Sequence, residues 1–271
     1  MSTNPAVRRD ACLIPRGAAR LFAVALQRDG RHRGMDTQRL LAAMLLACQV
    51  HRHLQRSADA QPYVVHLLQV ALLVCRWGGT ADDVLAALLH DTAEDSSTGP
   101  RAMLNRVADL FGPPVAGRVA ALTKDRGIAN ADARSADHTR RLRQAAQDFG
   151  PGVLAVRLAD RLHNVVTSAH FDTGRLQRLH LHTQQQVVPL AQALHLAALG
   201  AFLAGPPAQW HAVPSARFVP AVLALQRPWL GEAGRATDEA AACQGGHWLR
   251  LLVDIGGGPA MPPSARLGVI P

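Results

Sequence analysis

The sequence predicts an all-α protein, a helical bundle flanked by N- and C-terminal extensions with little regular structure. Hydrophobic residues make up 48% of the 271 positions and aromatics only 4%. A core built so heavily from Ala, Leu and Val suits packed helices better than a β-sandwich. Apolar positions also recur at helical spacing, and no segment sustains an alternation of period two.

The elements follow in order. Between residues 36 and 56, Leu40, Leu41, Met44, Leu45, Cys48 and Leu54 mark one helix face. Pro62 suits the first turn of a second helix that runs to Trp77 with His66 inside it. Gly78-Gly79 breaks the chain, and Thr80 followed by Asp83 reads as a capping box opening a third helix that ends at His90. A fourth helix over 101–111 stops at Gly112, and Pro113-Pro114 opens a fifth up to Leu122. Residues 125–136 are polar and short-chained, which predicts a loop, and 138–149 is an arginine-rich surface helix stopped by Gly150. Two more helices cover 152–168 and 173–199, the second interrupted or kinked at Pro189.

This divides the chain into an irregular arginine-rich extension (1–34), a helical domain (35–200) and a Pro/Gly-rich C-terminal extension (201–271). In the last part, two short apolar pieces, 218–225 and 248–255, are candidates for packing back on the core.

No apolar run reaches the roughly 18 residues of a membrane span. Net charge is +9, nearly all of it arginine, with Lys124 the sole lysine. Such a charge fits an anionic partner, a nucleotide or a nucleic acid, but it also fits a GC-rich genome, so charge alone decides nothing. The one tight cluster, Arg140-Arg141-Leu142-Arg143, lacks interleaved aromatics and reads as a solvated helix face, which argues against nucleic acid. Cys12, Cys48, Cys75 and Cys243 are scattered without a CxxC, as expected of reduced thiols in a cytoplasmic protein. Arg16 and Arg20 interrupt the apolar stretch that a signal peptide needs, so export is not expected, and Met35 is a second candidate start.

Three pieces carry chemistry: His66 in an apolar helix, His90-Asp91 at the end of another, and Asp160 inside VRLADRLHNVVT. A single helical histidine is more often a satisfied core residue than a ligand. Here, though, the apolar run 85–89 drives its helix inward and leaves His90 and Asp91 at the buried end, and Asp160 sits between Leu158 and Leu162. Buried carboxylates need a partner or a metal. Two imidazoles with two carboxylates suit a borderline divalent ion, Mn²⁺ or Fe²⁺, rather than a thiolate zinc site. In HDTAED, Glu94 and Asp95 fall one helical turn beyond His90 and Asp91. An acidic pair so placed can orient and deprotonate a water activated by the metal; without the ligands it would read as a solvated helix end. Asn164 and Thr167 share the helix face of Asp160 and suit ribose or phosphate oxygens, with Arg161 and His163 flanking them.

HDTAED and LADRLHNVVT, preceded by QPYVVHLLQVA and joined by LFGPPVAGRVAALTK, together resemble the HD-type hydrolase domain of the RelA/SpoT alarmone enzymes and the small stand-alone alarmone hydrolases, over about residues 36–200. The resemblance implies metal ligands His66, His90, Asp91 and Asp160 with Mn²⁺ as the usual ion. It implies that Glu94 and Asp95 activate water, that Asn164 and Thr167 hold the nucleotide, and that Arg56 stacks on the guanine. Tyr63 and Lys124 fall at motif positions, and Lys124 and Arg161 join the substrate-binding set. The implied reaction removes the 3′-pyrophosphate from ppGpp or pppGpp, and with no synthetase motif after Gly200 it implies hydrolysis without synthesis. The alternatives are another nucleotide phosphate as substrate, NADPH included, or a silent binder of nucleotide or nucleic acid; an intact Glu94-Asp95 pair argues against silence. Three departures stand out: one extra residue between Arg56 and His66, Leu67 in place of a common proline, and Asp125-Arg126 where an apolar residue is more usual.

Overall fold

The computed structural model of the chain describes residues 36–211 apart from 55, 57–62, 78 and 195. The expectations for 1–34, for Pro62, for Cys12 and Cys243, and for the apolar pieces at 218–225 and 248–255 lie outside the described residues. Among the described residues every regular element is helical, as expected. The helices are α1 (Thr37–His51), α2 (Val64–Arg76), α3 (Ala81–Leu89), the short α4 (Thr92–Asp95), α5 (Pro100–Phe111), α6 (Pro113–Leu122), α7 (Ala131–Phe149) and α8 (Gly152–Val166). Then come α9 (Thr173–His182), a π-helical turn (Thr183–Val187), α10 (Val188–Ala193), α11 (Ala197–Ala204) and α12 (Pro207–His211). None of them is long and apolar enough to cross a membrane.

Helix α8 is the axis of the bundle. Every residue in it except Asn164 is buried, because α2, α3 and α7 pack around it and α6, α10, α12 and the π turn close the remaining sides. Its sequence can sustain this: Val153, Leu154, Val156, Leu158, Leu162, Val165 and Val166 are fully packed, and small residues such as Ala155 and Ala159 let neighbours approach. Burial of this kind stabilises by roughly 25 cal/mol per Å² of apolar surface removed from water. It also takes Arg157, Asp160, Arg161 and His163 inside, which is tolerable only if each finds a partner.

The starts and stops follow the local chemistry. Thr80 and Asp83 form the expected capping box on α3. Gly112 takes φ 89° between α5 and α6, a left-handed conformation that L side chains avoid, and Pro113 then begins α6 at a position where its missing N–H costs nothing. The loop expected over 125–136 is shorter than that: α7 begins at Ala131, because the Asn130 side chain caps it by accepting from the Ala133 N–H. Pro189 does interrupt the last long helix, as expected, through a widened turn. It has no N–H to give and its ring crowds the preceding turn, and five residues of π geometry, Thr183–Val187, absorb the mismatch. Helical structure also continues past Gly200 to His211. Trp210 is buried, donates its Nε1–H to the Phe202 carbonyl (3.1 Å) and meets His180 edge-on.

A buried ion pair ties three of these helices together. Asp83 Oδ2 accepts the Thr80 N–H at 2.8 Å, and its Oδ1 takes the Arg118 Nε–H at 2.7 Å. The rest of the guanidinium donates to the carbonyls of Pro114 and Phe149. Gly152 passes so close to Asp83 that a Cβ there would meet the carboxylate at 2.0 Å. Removing one partner would strand a buried charge, so Arg118→Leu should cost about 3–5 kcal/mol, read as a lowered urea midpoint with an unchanged m-value.

His138 on α7 is buried and faces Leu122 O from its Nε2 (3.0 Å). Burial, aided by Arg157 and Lys124 nearby, pushes its pKa down to about 3. The folded chain therefore binds fewer protons here than the unfolded chain, whose histidine titrates near 6.5, so stability falls as pH drops from 6.5 towards 3. In urea titrations at pH 7 and pH 5, His138→Gln should show a smaller loss between the two than the parent chain.

Candidate metal centre and active-site cleft

The carboxyl end of α3, the first turn of α2 and the middle of α8 converge on one point. His90 follows α3 directly, and Asp91 begins the turn into α4. One ligand atom from each of His66, His90 and Asp91 lies within 4.8 Å of the other two. Asp160 Oδ1 comes within 3.4 Å of His66 Nε2 and 3.8 Å of His90 Nε2. The structure thus brings all four residues singled out as ligands to one place.

The donor set fits a divalent cation. Nε2 of His90 is buried and makes no hydrogen bond, although Asp91 Oδ2 is only 3.0 Å away. The geometry between the two atoms is not that of a hydrogen bond. His90 Nδ1 is held by the Ala87 carbonyl at 2.8 Å, which fixes the hydrogen there and leaves Nε2 as the inward-facing atom. His66 Nδ1 lies 3.0 Å from Nδ1 of His163. Only one of these two nitrogens can carry hydrogen, and His66 can present a lone pair at Nε2 when it is the donor.

The electrostatics ask for positive charge at the centre. Burial works against a charged His90, yet Asp91 and Asp160 hold its pKa well above the ordinary value. The same carboxylates lie below their usual range, against the pull of burial, through His90 for Asp91 and through His66, His90 and Arg157 for Asp160. His66 goes the other way: burial pushes it down to about 4, so it stands neutral and ready to ligate. A proton on His90 does what a cation would do between two carboxylates, and a cation binding there would release it.

A ring of partners fixes these four. Tyr63 donates its hydroxyl to Asp91 Oδ2 at 2.7 Å, and burial together with Asp91 holds its phenol far above the ordinary range. Arg157 Nη1 donates to Asp160 Oδ2 at 2.7 Å, and the Asn164 amide donates to Oδ1. Arg56 spans from the other side, donating to Asn164 Oδ1 (2.9 Å) and Thr167 Oγ1 (3.2 Å) with its guanidinium over the Tyr63 ring. Arg56, Asn164 and Thr167, expected to contact the nucleotide, thus form one connected patch.

Glu94 and Asp95 sit one turn past the histidine and aspartate, as expected, but on the separate short helix α4. Glu94 accepts the Lys124 backbone N–H at 2.8 Å, and Arg126 approaches Glu94 at 3.4 Å and Asp95 at 4.0 Å. Asp95 Oδ2 also lies 3.4 Å from Nε2 of the buried His51, whose ring stacks on Tyr63. The cleft above this floor has a volume of about 550 Å³. Its cationic lining is Lys124, Arg126, Arg157, Arg161, Arg175 and Arg178. Arg161 is mostly buried, bonds His182 Nδ1 (2.9 Å), and is pushed down to about 9 by burial and Arg157. Lys124 is likewise lowered, chiefly by burial.

Sequence reasoning missed His51, Arg157, Arg175 and Arg178. His51 and Arg157 carried a weak signal, a histidine ending an apolar helix face and an arginine one turn before Asp160. The α9 arginines carried none. His163, expected either to contact phosphate or to hold its helix in place, is buried against His66.

A bundle of helices that sets paired histidines and aspartates at its centre defines a metal-binding α-domain. The HD domain family profile matches residues 32–196, and the chain belongs to that family. Among curated relatives, the guanosine-3′,5′-bis(diphosphate) 3′-pyrophosphohydrolase of Aquifex aeolicus is 31% identical over 140 residues, 52% of this chain and 19% of that protein. A probable GTP pyrophosphokinase of Mycobacterium leprae is 33% identical over 147 residues, 54% and 18% respectively. A probable chloroplastic GTP diphosphokinase of Oryza sativa is 29% identical over 175 residues, 62% and 24%. The chain spans about a fifth of the length of the curated relatives it matches. A solved structure of a metazoan ortholog of SpoT is 24% identical, with a TM-score of 0.46 over 56% of this chain and 84% of that one.

Because the His66–His163 contact sets the donor atom of a candidate ligand, His163→Ala should weaken divalent-metal binding about 10–100-fold. Titration calorimetry with Mn²⁺ on the folded variant checks this.

Proposed function

We propose that the chain is a metal-dependent phosphohydrolase that removes the 3′-pyrophosphate from ppGpp or pppGpp, giving GDP or GTP and pyrophosphate, with Mn²⁺ as its ion. The observation that carries this is the four-residue His/Asp cluster beside an acidic pair on the floor of a cation-rimmed cleft. The similarity to the Aquifex aeolicus pyrophosphohydrolase supports the choice of substrate. The helical domain at 35–200 is the catalytic unit on this reading, and its place of action is the cytoplasm.

His66, His90, Asp91 and Asp160 would hold the ion. When bound, it supplies an acidified water and a counter-charge for the phosphate oxygens. Glu94 and Asp95 orient that water and take its proton. The water oxygen bonds to the phosphorus nearest O3′, the P–O3′ bond breaks, and O3′ leaves as the ribose hydroxyl after gaining a proton. Asn164 and Thr167 position the ribose, and Arg56 stacks on the guanine. Lys124 and Arg161 neutralise phosphate charge, and the burial of Arg161 lets it do so more strongly than a surface cation would.

The test is turnover of ppGpp by the purified chain with Mn²⁺, products resolved by anion exchange. GDP and pyrophosphate should form in the parent, and His90→Ala/Asp91→Ala should lose both metal and activity. Glu94→Gln/Asp95→Asn should keep the metal and lose at least about 100-fold in kcat. A folded, metal-loaded chain that leaves ppGpp intact would sink the substrate assignment, and a screen of other 3′- and 2′-phosphorylated nucleotides, NADPH among them, would follow.

A further inference from the structure

The cleft over the metal centre does not end at Glu94. A second cleft of about 670 Å³ is lined by the α6–α7 connection and shares Glu94, Lys124 and Arg126 with the first. Its other lining includes Arg101 and Leu104 of α5 and Arg140 and Arg141 of α7. The cations there are not equivalent. Arg140 and Arg141 are committed to Asp137 at 2.6 and 2.8 Å, and Arg141 also binds the carbonyls of Ala120 and Thr123. Arg126 lies at the junction, and 70% of its side chain is exposed. Its contacts with the acidic pair, at 3.4 and 4.0 Å, are long and wet, and such contacts are worth little. Arg101, in the first turn of α5, is exposed on the same rim.

The order of groups along the joined clefts sets a direction. Asn164, which holds Arg56, lines only the first cleft together with Asp91 and Asp160 of the cluster; Glu94, Lys124 and Arg126 line both, and Arg101 lines only the second. With the nucleoside on the Arg56–Asn164–Thr167 patch and the scissile phosphorus at the cluster, the group that departs is directed towards Arg126. That group is a pyrophosphate, a compact polyanion that would meet Glu94 and Asp95 on its way out. Like charges there are tolerable only if cations are interposed, and Arg126 is the exposed cation already facing both carboxylates.

We propose that Arg126, with Arg101 beside it, forms a subsite for the departing pyrophosphate at the junction of the two clefts. Arg126 exchanges its loose contacts with Glu94 and Asp95 for phosphate oxygens when the product forms. The subsite rests on the reading given under Proposed function for its direction, and its chemistry requires only a polyphosphate anion.

Inorganic pyrophosphate is the probe, titrated calorimetrically into the Mn²⁺-loaded full chain and used as an inhibitor of ppGpp turnover. Arg126→Ala should weaken pyrophosphate about tenfold, the value of one charge-assisted contact, and Arg126→Lys should recover part of it. Arg101→Ala should weaken it less. Orthophosphate, which lacks the second phosphate, should bind parent and variants alike. Arg106→Ala, which removes an exposed arginine of the same helix α5 that contacts Gln49, should leave pyrophosphate binding unchanged. Equal pyrophosphate affinity in parent and Arg126→Ala would overturn the subsite, even if kcat fell, because Arg126 would then be only a counter-ion to the acidic pair. Failure of the parent to bind pyrophosphate would overturn it too. Failure of the parent to cleave ppGpp would overturn the substrate reading while the calorimetric comparison still decided the subsite.

Discussion

Placing Asp160 inside an almost wholly buried helix is the constraint from which the rest of this structure follows. A carboxylate at the centre of a helical bundle loses most of its hydration, and the protein has to replace it with positive charge and hydrogen bonds. Arg157 and Asn164 supply part of that from the same helix, one turn before and one turn after. The remainder comes from His66 and His90, which α2 and α3 hold against the same point. Those two helices must therefore pack on α8 in a fixed register. The Asp83–Arg118 pair and the close passage of Gly152 secure that register from the opposite end of α3.

The site is built in layers with different tolerance for water. His66, His90 and His163 are buried, Asp91 and Glu94 are half-buried, and Arg126 is open to solvent. The inner layer gains strength from low dielectric and is held by hydrogen bonds, among them that of the Ala87 carbonyl, which sets the tautomer of His90. The outer layer can move, and it is where anions enter and leave. Tyr63 joins the two: its hydroxyl holds Asp91, while its ring stacks on His51 and meets the Arg56 guanidinium.

Much of this was legible in the sequence because the informative residues sit next to strong local signals. His90-Asp91 ends an apolar run, Thr80 and Asp83 announce the helix that carries them, and Asp160 breaks an otherwise apolar face. The family resemblance added the base-stacking role of Arg56 and the motif positions of Tyr63 and Lys124. What stayed hidden is what depends on distant segments meeting. The His66–His163 contact joins residues 97 positions apart, and Arg56 reaches Asn164 across 108. No periodicity within a helix reports such pairings. The start of α7 was missed for a smaller reason: residues 131–137 are polar, so only the capping asparagine marked them as helical.

The π turn at Thr183–Val187 has a geometric consequence. Packing one residue more into a turn than an α-helix would, it shifts the phase between the helix before it and the helix after it. Thr183, Val187, Leu190 and Ala191 stay in the core, while Arg175, Arg178 and His182 of α9 line the cleft. An uninterrupted α-helix advances 100° per residue, so a chain one residue shorter here could not keep both faces where they are. With the core face anchored, the α9 arginines would rotate by about that angle, away from the cleft. The spacing of a single residue around Pro189 thus sets how much positive charge the cleft presents to an anion.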